Sequence, residues 1–391
     1  MRELGGPETI GRNDLTPLVR RVLGRDAVAV EDWRRYAIHG GGGPATGGLY
    51  RFSGIATDGR QRVPWSLILK ITRSPRGGER PWQWNYWKRE VCAYRSGLLD
   101  HLPGGLVAPR CVAAAERGGE GAWLWLEELV DAGGVPWSLD RYGTAARHLG
   151  VFNGAYLGVA SVRRYEWLSV SWLRTWTHDA TPAIAQLPHI LGHPLVRRLY
   201  PADSSSRVLR LWTQREPLLA ALDRLPPTLC HLDAVQRNLF ALQVADGRPS
   251  TGAADWASVG FGALGEELAP LIAGSVLLYG AELSALRELE DCVLAAYTDG
   301  LRDAGWRGDP RLVRLGYAAA SALRYSLYGV VRQGILLDES RHAWAERALG
   351  HPLAEFIDRV VRVREHALAL AEEACDRLHV LDSTAGAGSV P

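Results

Sequence analysis

Two carboxylates and a carboxamide in the second half of the chain are spaced as ligands for a hard cation. Asp233 and Asn238 lie five residues apart in "LCHLDAVQRNLFAL", Leu229 to Leu242, and Asp255 follows in "ADWASVG". Oxygen ligands of this kind suit Mg2+, which takes one or two carboxylates and keeps waters and phosphate oxygens. In ordinary loops Asp and Asn also cap local backbone, so the interval alone does not decide. A second reactive residue is Lys70, at the end of the apolar run "WSLIL". A buried ammonium needs an anion, because leaving it unpaired costs several kcal/mol by order of magnitude. Glu90, on the predicted following helix, supplies one; Glu79 is closer in sequence but lies in a Gly/Pro/Arg-rich loop. The third feature is the glycine stretch "HGGGGPATGG", His39 to Gly48. It matches neither G-x-x-x-x-G-K-[ST] nor a strict G-x-G-x-x-G, but between two strands it can lay backbone N–H groups over phosphates.

The elements that must hold these residues follow from periodicity. After a short helix within residues 1–30, two strand-like runs flank the glycine stretch, and "RQRVPWSLILKIT" is a third strand. Residues 80–102 read as a helix, with Trp84, Trp87, Val91, Tyr94 and Leu98 on one face. "GLVAPRCVAAAE" and "GAWLWLEELV" read as two more strands. Residues 1–130 are thus expected to form a β-β-β-α-β-β lobe with a five-stranded sheet. A hinge near 126–134 leads into residues 131–380, where helical patterns recur at 139–158, 204–223, 266–303, 311–335 and 342–379. Their one β interruption is a hairpin turning at "ADGRPS". That hairpin returns Asp255 to Asn238. Residues 381–391, small and polar, are expected to be a disordered tail.

Composition narrows the partners. The 391 residues carry a formal net charge of +2, so no polyanion-binding excess exists, and nucleic acid is not the expected partner. No segment approaches 18 uninterrupted apolar residues and no signal core opens the chain. Neither a membrane partner nor secretion is expected. Five cysteines, odd in number and without metal spacing, read as reduced and mostly core residues of a cytoplasmic protein. Oligomeric state is not legible.

The order of features is that of protein-kinase-like phosphotransferases: glycine-rich β-link, strand lysine, helix glutamate, hinge, H-x-D-x4-N, then an Asp after a hairpin. Within that superfamily the chain resembles the aminoglycoside phosphotransferase and choline kinase-like family. "HLDAVQRN" resembles the family's H-G-D-x4-N loop with Leu232 in place of Gly. "ADWASVGFGALGEELAPL" resembles its DW…DLA segment with Glu267 where Asp is common. "ARHLGVFNGAYL" resembles the helix after its hinge. The resemblance covers roughly residues 35–370.

It implies an α+β, bilobal protein-kinase-like fold, with a β-rich N-lobe and a mainly helical C-lobe. It implies transfer of the γ-phosphoryl group of ATP (or GTP) to a hydroxyl of a small molecule such as an aminoglycoside, sugar or amino alcohol. Asp233 would be the catalytic base, and Asn238 and Asp255 would hold Mg2+. Lys70, held by Glu90, would contact the α- and β-phosphates. Gly43, Thr46 and Gly47 would cover the phosphates, and Glu127 and Leu129 would offer backbone groups to the purine. His231 would brace the loop. Leu232 and the irregular glycine loop raise the alternative of a nucleotide-binding pseudokinase or scaffold, and a Ser/Thr kinase of a biosynthetic peptide is a third option. The acceptor itself is not legible. The acidic runs Glu266–Glu267 and Glu288–Cys292 read either as cation attractors or as caps and solvated faces. "PWQWNYW" at 81–87 reads either as an aromatic wall or as packing.

Overall fold

The computed structural model describes residues 6–38, 45–74, 80–117, 121–134, 136–159, 162, 164–243, 247 and 249–385. The chain begins with α1 (Arg12–Leu23), then β1 (Ala29–Ala37), β2 (Thr46–Thr57), β3 (Arg62–Arg73) and α2 (Arg89–Arg95). It continues with β4 (Leu106–Val107), β5 (Cys111–Arg117) and β6 (Gly121–Glu127). Five of these strands form one antiparallel sheet in the order β1-β2-β3-β6-β5. Strand alternation decides its two faces. Trp65, Leu67, Leu69, Ile71, Trp123 and Trp125 point to the face covered by Leu15, Leu18 and Val19 of α1. Ala122, Leu124 and Leu126 point to the other, where Trp87 and Val91 pack. Lys70, one residue out of phase with Leu69 and Ile71, therefore falls on the α2 side.

The helical portion contains α3 (Leu139–Ala155), β7 (Ser169–Val170), α4 (Trp172–Asp179), α5 (Thr181–Ile190), α6 (Pro194–Leu199), α7 (Ser204–Thr213) and α8 (Glu216–Arg224). Then come β8 (Pro227–Cys230), β9 (Leu239–Gln243), β10 (Pro249–Ala253) and β11 (Gly260–Ala263). A π turn at Pro270–Gly274 runs into α9 (Ser275–Leu277). It is followed by α10 (Leu286–Asp303), α11 (Pro310–Ser326), α12 (Tyr328–Leu336), α13 (His342–Leu349), α14 (Leu353–Asp376) and α15 (Val380–Ala385). Two small sheets, β4-β10-β9 and β7-β11-β8, are embedded in it. No described helix is long and apolar enough to cross a membrane.

Several expectations change. The helix expected over 80–102 is confined to α2. Residues 80–88 form turns because the buried Arg89 guanidinium donates to the carbonyls of Pro81, Gln83 and Trp84, and also to Trp167 and Ala257. A helix would occupy the first three carbonyls with its own N–H groups. The strand expected over "GLVAPRCVAAAE" splits around Pro109: Leu106–Val107 pairs in parallel with β10, and only Cys111–Arg117 joins the large sheet. The first residues of the expected tail are helical in α15, and 386–391 lie outside the described residues. All five cysteines are free, but only Cys230 is buried. The helices over 172–199 were not anticipated.

Candidate active site

The hairpin performs the convergence its length promised. Leu239 pairs with Ala253, and the Ala254 N–H donates to the Asn238 carbonyl at 2.9 Å. Asn238 and Asp255 thus flank one point. Lys70 reaches the same point from the sheet, with its Nζ 2.6 Å from Asp255 Oδ1 and 2.6 Å from Glu90 Oε2. Glu90 also accepts the backbone N–H of Trp256 through Oε1, at 3.1 Å. One buried carboxylate on α2 therefore ties the strand lysine to the Asp255–Trp256 segment. Burial alone would lower the Lys70 pKa, but Asp255 and Glu90 outweigh it and hold the ammonium well above its usual range. Burial would raise Asp255, yet Lys70 more than offsets that and its carboxyl lies below the usual range. Glu90 is more enclosed, and there burial prevails and raises its pKa.

Asp233 is fixed at both oxygens. Oδ1 accepts from Arg324 on α11 at 2.8 Å, and Oδ2 accepts from Asn238 Nδ2 at 3.2 Å. Asn238 Nδ2 donates to the Asp233 carbonyl as well, at 2.9 Å. Both partners being acceptors, the orientation of the amide is determined. Its Oδ1 is left without a hydrogen bond among the described residues, as is Oδ2 of Asp255, whose side chain is 37% exposed. Two free oxygens on adjacent backbone segments fit a cation that keeps most of its water and phosphate ligands. Among the described residues no group of three or more His, Cys, Asp or Glu side chains is arranged to hold a metal ion by itself, so a cation here would rest on Asn238, Asp255 and non-protein ligands.

The loop before Asp233 is braced from several sides. His231 is buried against Trp256, with ring centroids 4.6 Å apart. It accepts the Asp233 N–H at Nδ1, so Nε2 carries the proton donated to the Ala254 carbonyl. Burial lowers its pKa and keeps it neutral. Leu232 has φ +63°, in the left-handed region. Its N–H donates to Glu267 Oε1 at 2.9 Å and its carbonyl accepts from Arg324 at 2.6 Å. Glu267 Oε2 accepts the His231 N–H at 2.6 Å. Buried Asn153 of α3 donates to the Leu229 carbonyl at 2.8 Å and steadies β8 as it enters the loop.

The other predicted residues divide. Thr46 and Gly47 start β2; Thr46 lies opposite Thr72, two residues beyond Lys70, so β2 begins at the Lys70 end of the sheet. Gly43 lies outside the described residues, as does Glu79. Glu127 ends β6, and its N–H donates to the Arg110 carbonyl at 3.0 Å. Leu129, just past β6, makes no backbone hydrogen bond among the described residues. The acidic runs divide as well, since Glu288 and Asp291 lie exposed on α10 while their neighbours turn inward. Glu266 and Glu267 are buried backbone acceptors, and Glu290 is tied to Arg314, Tyr317 and His366. Sequence reasoning missed Arg324. An arginine in the middle of the apolar run "YAAASALRYSLYG" was the available signal.

No family model and no curated protein matches the chain. Solved structures do. An amicoumacin kinase in complex with AMP-PNP and Ca2+ is 18% identical, with a TM-score of 0.48, over 83% of this chain and 87% of that one. A type VIII aminoglycoside-3'-phosphotransferase is 17% identical, with a TM-score of 0.44, over 74% and 92%. A Plasmodium vivax ethanolamine kinase is 11% identical, with a TM-score of 0.47, over 86% and 82%. Over most of its length the chain matches aminoglycoside phosphotransferases and choline/ethanolamine kinases. What it does along that path is read from its own residues.

Proposed function

We propose that this protein is a Mg2+-dependent phosphotransferase that moves the γ-phosphoryl group of ATP or GTP to a hydroxyl of a small molecule. The observation that carries the reading is the junction at Lys70. A buried lysine and a metal-type carboxylate meet at 2.6 Å, beside the free oxygens of Asn238 and Asp255 and one loop away from Asp233. Phosphoryl transfer needs little covalent help from a protein; it needs positioning and charge stabilisation. Lys70 supplies a fixed positive charge for phosphate oxygens, kept ionised by Asp255 and Glu90. Asn238 and Asp255 would hold Mg2+, which supplies charge neutralisation on the phosphates. Asp233 retains lone pairs beyond those used by Arg324 and Asn238. It orients the acceptor hydroxyl and takes its proton as the new O–P bond forms and the bond between the γ-phosphorus and the β-phosphate oxygen breaks, releasing ADP or GDP.

Leu232 does not favour an inactive scaffold, because the loop keeps its left-handed turn with Leu in place. The test is a product-mass screen of purified protein, Mg2+ and ATP or GTP against hydroxylated metabolites and antibiotics. A phosphorylated product should appear, and Asp233→Ala should slow its formation by roughly 10²–10⁴ fold. Nucleotide binding without transfer to any acceptor would overturn the reading, and so would full activity in the Asp233 variant.

A further inference from the structure

The aromatic run at 81–87 is used in three ways. Trp87 is buried between α2 and the sheet. Trp84 packs edge-on against Trp172 of α4 and donates its ring N–H to Asp179 at 2.7 Å. Trp82 remains 47% exposed. It borders a cavity of about 530 Å³ walled by β7, α4, α8 and β11, which none of Lys70, Asp233, Asn238 and Asp255 lines. Val170, 58% exposed, borders the same cavity. Two large apolar side chains left in water at one opening are a mark of a ligand site, where singly scattered ones would not be. Tyr165, Phe261 and Leu222 continue the apolar lining.

The polar groups in this wall are few and unequal. Arg174 is already neutralised, with Nη1 on Glu216 at 2.8 Å and Nη2 on Asp223 at 2.6 Å. Glu166 lines the cavity with no ion pair among the described residues. Glu266 is only 8% exposed. Its Oε2 accepts the Ala263 N–H at 2.9 Å, and its Oε1 has no hydrogen-bond partner among the described residues. Arg324, the cation that acts on it, has its guanidinium on Leu232 and Asp233. Burial accordingly pushes the Glu266 carboxyl up to about 7. Glu266 Oε1 is not fully enclosed, so it is open to a partner arriving through the cavity, and the apolar wall strengthens such a pairing. Ser171, also in the wall, is held at φ +56°, a strained conformation of the kind that collects at ligand sites.

We propose that this cavity is a second, non-catalytic site for a small organic cation: an ammonium on Glu266 Oε1, with an aliphatic or aromatic body against Trp82, Phe261 and Leu222. An anion would meet Glu166 and Glu266, and a purely apolar guest would leave the Glu266 oxygen unpaired. The exposed ring of Trp82 at the opening adds attraction for a cation. The site does not depend on the phosphotransferase reading.

The test compares three probes with one apolar body and different charge, 2-phenylethylamine, 2-phenylethanol and 3-phenylpropanoate, by ligand-observed NMR and calorimetry on the full chain. The amine should bind at least about tenfold more tightly than the alcohol or the acid, the scale of one charge-assisted hydrogen bond. Glu266→Gln, which keeps an acceptor for the Ala263 N–H, should erase that preference, and Leu222→Trp should block all three probes. Asp233→Asn should leave amine binding unchanged. Absence of amine binding, equal binding of the three probes, or a preference that survives Glu266→Gln would overturn the proposal. Loss of amine binding in Asp233→Asn would place the ligand in the catalytic cleft and overturn it as well.

Discussion

Leu232 concentrates the physics of the site in one residue. A left-handed conformation costs a β-carbon-bearing residue about 1–2 kcal/mol, and the usual answer is glycine. Here the side chain is 1% exposed and packs over Gly262, so burial offsets the strain. The two contributions separate by mutation. Leu232→Ala removes the buried side chain and keeps the strained turn, costing about 2–5 kcal/mol. Leu232→Gly removes both. In urea denaturation the Gly variant should be the more stable of the pair by about 1 kcal/mol, the reverse of their order at most backbone positions. An Ala variant as stable as the Gly one would mean that the turn carries no strain. The sequence shows Leu where a family loop has Gly; that the loop keeps its shape becomes visible only with the backbone dihedral and its clamps.

Those clamps belong to elements far apart in sequence. Glu267 follows β11, Arg324 rides on α11, and both bind the backbone around residue 232. Glu267 serves two N–H groups with two oxygens. Glu267→Gln replaces one oxygen with a donor, so either His231 or Leu232 loses its acceptor, at about 1–3 kcal/mol for a buried unsatisfied amide. Under the proposed phosphotransferase function, the expected outcome is a lower kcat with nucleotide affinity unchanged, read by parallel turnover and nucleotide titration. An equal loss of nucleotide affinity would show that the brace is not local to the loop. Helices with clean 3.6 periodicity, such as α3 and α14, are legible from sequence. The 80–88 segment has that periodicity too, yet Arg89 claims its carbonyls, and no pattern of apolar residues reveals such a competitor.

Across the whole molecule, buried charge ties elements together and makes stability depend on pH. Glu290 of α10 meets Arg314 and Tyr317 of α11 and His366 of α14. Burial would raise its carboxyl, but His366, Tyr317 and Arg314 together bring it down to about 2. A carboxyl lowered on folding contributes stability that is complete above its unfolded value near 4.5 and is lost as pH falls toward 2. The size is about 3 kcal/mol. Glu266 and Glu267, raised by burial to about 7, act in the opposite sense, and their contribution declines as pH rises from about 4.5 to 7. Glu290→Gln should therefore flatten the acid limb of a stability-versus-pH curve below about pH 4.5 and leave the decline toward neutrality intact. An unchanged acid limb would remove Glu290 from this role.

The sequence by itself determined the order of the machinery: a strand lysine, a helix acid, a loop aspartate, and a hairpin of the length needed to bring Asp255 back to Asn238. Such features are legible because they depend on local periodicity and on chain closure over short spans. Tertiary structure alone decided which groups restrain them. Lys70 binds Asp255 across 185 residues and Arg324 binds Asp233 across 91. It also decided that Glu266, Glu267 and Glu290 face inward while Glu288 and Asp291 do not, and that Trp82 borders a cavity away from the cleft. These outcomes depend on which faces of distant elements meet once the core has packed, and nothing in the spacing along the chain encodes that meeting.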